Sequence, residues 1–167
     1  MFILKNIKKV PLEIATILAQ DVLIKKLLII DNADALSEEA PDKDLNDLLK
    51  EHYISMEPPV ENRIQEYDRN TFISILVDTV TNNTDENVRA NITIYVSTNM
   101  DHLMLTNNKN RLLELTDRIG QLLQDRKLSA SGKVSISSMS HVMLSEFHSA
   151  YRMTFAVVDQ QKKDGDI

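Results

Sequence analysis

The sequence contains no cysteine and no tryptophan. Without thiols it has no disulfide scaffold, no thiolate metal site and no cysteine nucleophile, and it suits a reducing cytoplasm. Glycine occurs only three times. Gly120, Gly132 and Gly165 are too far apart to form the closely spaced backbone cradle that phosphates need. Aromatic residues make up 5% of the chain, so the core must be mostly Leu, Ile, Val and Met. No run reaches the roughly 18 uninterrupted apolar residues of a membrane span. In MFILKNIKKVPLEI, Lys5, Lys8 and Lys9 interrupt the apolar run and no small-residue cleavage site follows, so no signal peptide is expected. Positive charge is in deficit, at 19 Lys and Arg against 25 Asp and Glu, for a net charge of −6. Sequence-independent nucleic-acid binding needs a basic face, so a DNA or RNA reader is not expected.

The chain that remains is long enough, at 167 residues, to bury its own core. We read it as one domain over 1–167. It has a helical part over about 10–50, an α+β core over about 53–159 and a polar tail over 160–167. VPLEIATILAQDVLIKKLLII carries apolar residues at three-and-four spacing, with Pro11 in a first helical turn. Asp21 either caps a second short helix carrying Ile24, Leu27 and Leu28 or lies within one long helix. The acidic stretch DNADALSEEAPDKD reads as a surface loop. Asp42 or Asp44 can then cap a helix through Leu45, Leu48 and Leu49. HYISMEPPVEN reads as extended, because Pro58 and Pro59 fix φ and remove ladder donors.

Alternation predicts strands in TFISILVD and NITIYVST, joined by a long polar connection, TVTNNTDENVRA. The stretch 107–127, NNKNRLLELTDRIGQLLQDRK, predicts a helix. Asn108 is its candidate N-cap, and Leu112, Leu115, Ile119, Leu122 and Leu123 form one stripe. Two heptads are too few for a stable coiled coil, so the stripe should pack on its own sheet. GKVSISSM and YRMTFAVVD predict two further strands. The fold class expected is α+β: a mostly antiparallel sheet of four strands or slightly more, packed against an amphipathic helix, with N-terminal helices.

Candidate chemistry is sparse. His141 and His148 are not at metal-ligand spacing, and Glu146 with His148 would supply only two ligands. Asp101-His102 resembles half of a triad, but no serine in a strained glycine-flanked turn completes it. No catalytic residue, cofactor site or metal site is assigned, and an enzyme is not expected. The acidic loop with Glu38 and Glu39, and the polar connection with Asn83, Asp85 and Glu86, are candidate docking elements. So is the charged face of the long helix, with Arg111, Glu114 and Arg118.

The order of elements has a specific rhythm. The strand pair FISILVD and NITIYVST leads to an Arg-started amphipathic helix, RLLELTDRIGQLLQD. The turn LSASGK follows, and YRMTFAVVD lies close to the C-terminus. This resembles the tail-terminator and neck (head–tail joining) proteins of tailed bacteriophages. ILAQDVLIKKLLIIDNADAL is similar to the helical openings of neck proteins in phages of Gram-positive hosts. Arg111, Ile119 and Tyr151-Arg152 are the closest matches, and the turn LTNNKN departs from the glycine or aromatic common there.

The resemblance implies a virion structural protein that forms a ring, commonly a hexamer, without enzymatic activity. It implies self-association and contacts with a tail tube protein, a neck, connector or head-completion protein, and in contractile tails a sheath protein. DNA would pass through the lumen without specific binding, and no membrane is involved. Within the resemblance, a head-completion or other connector ring is the alternative. The residues alone also leave open a small cytoplasmic ligand-binding or regulatory domain.

Overall fold

The computed structural model describes residues 7–84, 87–128 and 132–160. Two short helices open it, α1 (Val10–Gln20) and α2 (Val22–Ile29). Asp21 separates them. Its extended backbone ends α1, and its carboxylate accepts from the Ile24 amide at 3.0 Å to start α2. The short α3 (Leu45–Lys50) begins in a reciprocal capping box. Asp44 accepts from the Asp47 amide at 2.9 Å, and Asp47 accepts from the Asp44 amide at 3.2 Å.

Two expectations for the middle of the chain are corrected. HYISMEPPVEN is not wholly extended. It supplies the two-residue strand β1 (Ile54–Ser55), and after the prolines it turns into α4 (Glu61–Tyr67). That helix exists because Ile64 and Tyr67 bury together against Phe72. Likewise TVTNNTDENVRA is not a long connection. β2 (Thr71–Thr84) and β3 (Asn87–Asn99) run paired through nearly all of it, from Thr79↔Asn91 to Thr84↔Asn87. Threonine and asparagine look loop-like in sequence, but the ladder satisfies their backbone and their side chains need no burial. Asp85 and Glu86 lie outside the described residues.

The long helix, α5 (Arg111–Leu123), is shorter than 107–127 predicts. Its N-cap is Asn110, which accepts from the Leu113 amide at 3.1 Å. Asn108 sits before it with Asn107, both at positive φ, in a turn that carries the chain from β3 to the helix. Two strands close the fold, β4 (Ser135–Met143) and β5 (His148–Gln160).

The five strands form one mixed sheet in the order β1-β2-β3-β5-β4. Only β1 is parallel to its neighbour; the other pairs are antiparallel. The fold is thus α+β, as the sequence predicts. Ile73, Ile75, Ile92, Ile94, Val96, Met153 and Phe155 point to one face. Leu112, Leu115, Ile119 and Leu123 of α5, with Ile14, Leu18, Ile24 and Leu27 of the first helices, join them in a continuous buried core. Full burial of each such side chain stabilises by roughly 1.5–3 kcal/mol. The opposite face carries Ser74, Thr93, Tyr95, Arg152 and Thr154, and α4 covers only its Phe72 end.

Two glycines make opposite predictions. A Cβ on Gly132 would lie 2.6 Å from the Val158 carbonyl oxygen, so Gly132→Ala must push two backbones apart. It should cost about 1–3 kcal/mol in urea denaturation. A Cβ on Gly120 would meet Ile136 Cδ1 at 3.5 Å and Met153 Cε at 3.9 Å, which is ordinary contact. Gly120→Ala should therefore raise stability by about 0.5–1 kcal/mol, the gain in helix propensity.

Candidate interface site

Arg111 is not on an outer charged face. It is fully buried, and all five of its N–H groups are engaged. Nη1 donates to the carbonyls of Leu27 and Ile30, both at 2.7 Å. Nη2 donates to those of Asn32 at 2.7 Å and Asp31 at 3.2 Å, and Nε to that of His102 at 2.9 Å. The first four carbonyls belong to the end of α2 and the following turn, and a guanidinium fork meets them together; that of Asp31 also lies 2.9 Å from His102 Nδ1. Burial pushes the Arg111 pKa down, and the nearby Asp31 charge opposes that shift.

Arg118, two turns further along α5, faces the same neighbour. Its Nε and Nη2 lie 3.0 and 2.7 Å from Asp21 Oδ2. Burial alone would raise the Asp21 pKa. The Arg118 hydrogen bond and charge, with the Ile24 and Leu23 amides, outweigh it and hold the carboxyl below the usual range. Glu114 pairs with Lys109 at 3.4 Å and stays partly open. The expected charged stripe is therefore split. Arg111 and Arg118 fasten α5 to α2, and Glu114 remains near the surface.

In the acidic loop, Glu38 accepts from Asn32, and Glu38 and Glu39 are both exposed. Asn83 lies within β2 near the hairpin end. These residues do not converge with α5 in one site.

One cleft of about 260 Å³ gathers polar groups, including Asp68, Arg69, Ser145, Glu146 and His148. Ser145 Oγ accepts from the amides of Phe147 and His148 at 3.2 and 3.1 Å and lies 3.3 Å from His148 Nδ1. Its hydroxyl thus donates to Nδ1, which leaves Nε2–H to face the Arg69 carbonyl at 3.4 Å. This ties the β4–β5 turn to the loop before β2; it does not prime a nucleophile. Burial pushes the His148 pKa down, against the Arg69 carbonyl. The folded state therefore binds this proton less readily than the unfolded chain. Its stabilising contribution is complete above about pH 6.5 and is lost as pH falls through the lower folded-state value. Urea midpoints measured from pH 7.5 to 5 should fall, and His148→Phe should flatten that fall.

Among the described residues no group of three or more His, Asp or Glu is placed to hold a metal ion. No described helix is long and apolar enough to cross a membrane.

The site that stands out is apolar. Between α5 and β4 runs a groove of about 580 Å³, lined by Leu113, Gly120, Ile136, Met139 and Met153 among others. Leu113 and Met139 are 47% and 54% exposed, where a helix margin and an edge strand would ordinarily carry polar side chains. Met143, further along the same face of β4, is similarly open. Sequence reasoning missed these residues, because SISSMSHVM does not reveal that its strand lies at the sheet's end. The chain is a mixed five-stranded sheet with most of its helices on one face and an apolar groove between α5 and the edge strand β4. The chain belongs to the YomW family, whose model matches residues 21–157. YomW is an SPbeta-type Bacillus prophage-derived protein, so the family is phage-related. No curated protein matches the chain.

Proposed function

We propose that this protein is a non-enzymatic structural component of a phage virion at the head–tail interface, most specifically a tail terminator. Copies would form a ring, on the family resemblance a hexamer, that caps the tail tube and meets the neck, connector or head-completion protein. DNA would pass through the lumen, and the net charge of −6 suits a wall that does not grip it. The observation that carries the reading is the exposed apolar groove between α5 and β4, within a phage-associated family. Such a surface needs a partner.

The test is negative-stain electron microscopy of the purified protein, alone and mixed with tail tubes. Annuli that seat on tube ends are expected. A species that stays monomeric at all concentrations and binds neither tubes nor connectors would refute the proposal. Annuli that seat on filled heads instead would make it a head-completion ring.

A further inference from the structure

The groove between α5 and β4 is open among the described residues, and one stretch of the sequence matches its chemistry. Met1-Phe2-Ile3-Leu4 is a run of apolar residues that precedes the described chain, and Lys5 follows it. Lys5 is the only charged side chain within 1–6. The groove is its counterpart. Leu113, Ile136, Met139 and Met153 are its large apolar members, and Asp117 is the only charged residue among the described ones that line it. Asp117 is exposed and accepts from Gln121 Nε2 at 2.7 Å, and no ion pair among the described residues engages it.

The fold separates this segment from the groove of its own subunit. Arg111 and Arg118 face α2 and its cap. Leu113 and Gly120 each stand two residues further on, about 200° round the helix. The groove therefore lies on the side of α5 away from α2, and α1 packs beside α2. Residues 1–6 lead into Ile7, which is fully buried at the start of α1. A chain stretched to its limit carries Leu4 only about 11 Å from Ile7. A helix with its side chains is about 10–12 Å wide, and a path round it is longer than its width. Leu4 thus falls short of its own groove, whereas the groove of an adjacent subunit can be brought to it.

We infer that Phe2, Ile3 and Leu4 of one copy of this chain dock in the groove between α5 and β4 of the next copy, with Lys5 beside Asp117. The apolar run covers Leu113 and Met139, which a lone subunit leaves open to water. Arg126 and Lys127 are exposed beyond the Gln124 end of the groove, so Phe2 points toward that end and Lys5 away from it. The contact joins two different surfaces, so repetition yields a ring when the rotation closes. This inference rests on the proposed ring and names its joint.

The absence of cysteine makes disulfide trapping clean. In the full chain, Ile3→Cys and Met139→Cys proteins mixed in equal amounts should link to each other on oxidation, well above the self-linkage of either alone. The double variant should give a ladder of linked species. A double variant that closes its disulfide within one chain and stays monomeric would place the segment in its own groove and overturn the inference. Leu4→Asp and Met139→Lys should each weaken association at least about tenfold while leaving the thermal melt of the monomer unchanged. Lys5→Asp and Asp117→Lys should each weaken it by about two- to fivefold, and together restore it in part. If annuli persist in Leu4→Asp and Met139→Lys and the mixed proteins do not link, the joint is wrong and the ring reading stands. If those annuli also lose their hold on tube ends, the groove belongs to the tube protein and the inference falls. If the ladder forms but the assemblies never bind tube ends, the joint stands and the terminator reading falls.

Discussion

Replacing Arg111 with alanine should lower stability by about 3–5 kcal/mol. The change leaves four backbone carbonyls without a donor, those of Leu27, Ile30, Asn32 and His102, while that of Asp31 keeps His102 Nδ1 at 2.9 Å; each buried acceptor left unmade costs about 1–3 kcal/mol before water or local relaxation recovers part of it. It also opens a cavity where a long side chain was packed. In a protein of this size the loss corresponds to roughly 10 °C in Tm, measurable by calorimetry. Arg111→Lys is a sharper probe. An ammonium has three donors and no fork, so at least one of those four carbonyls stays unpaired. Its loss should be smaller than that of the alanine variant and still measurable. If the lysine variant melted like the parent, the cage of carbonyls would not be holding the fold.

Ile119→Asp should be at least as damaging. Ile119 is fully buried in the core beside Leu115 and Leu123. A carboxylate there has no partner, so it must either carry its charge out of water or take up a proton. A loss of about 4 kcal/mol or more is expected, a large part of the 5–15 kcal/mol typical of a folded domain. Urea denaturation would show it, and the midpoint should recover partly at low pH as the carboxyl is protonated. Met139→Lys should do the reverse, sparing stability and removing assembly. The contrast separates the inner face of α5 from the groove on its other side.

Much of the local structure was legible in the sequence. Asp21 and Asp44 act as caps, and the stripe from Leu112 to Leu123 faces the core, because capping and helical periodicity depend on neighbours a few residues away. What was not legible depends on distant residues. Arg111 reads as a surface charge, yet four of its five partners lie about 80 positions earlier. A clue was present: a cation in the first turn of a helix opposes the helix dipole and needs another reason to be there. The outer part of the hairpin was hidden because Thr79 to Ala90 has loop-like composition, and only the ladder reveals a strand. The groove was hidden for a similar reason. Whether Met139 is covered or open depends on strand order, which alternation does not determine.

The two arginines of α5 have a consequence for how the molecule opens. α2 is only eight residues long, and an isolated helix of that length is mostly unfolded in water. Arg118 holds its first turn through Asp21, and Arg111 holds its last carbonyls. A short helix fastened at both ends has no free end from which to fray. Its amide protons should exchange with solvent as slowly as those of the central strand β3, and only when the whole domain unfolds.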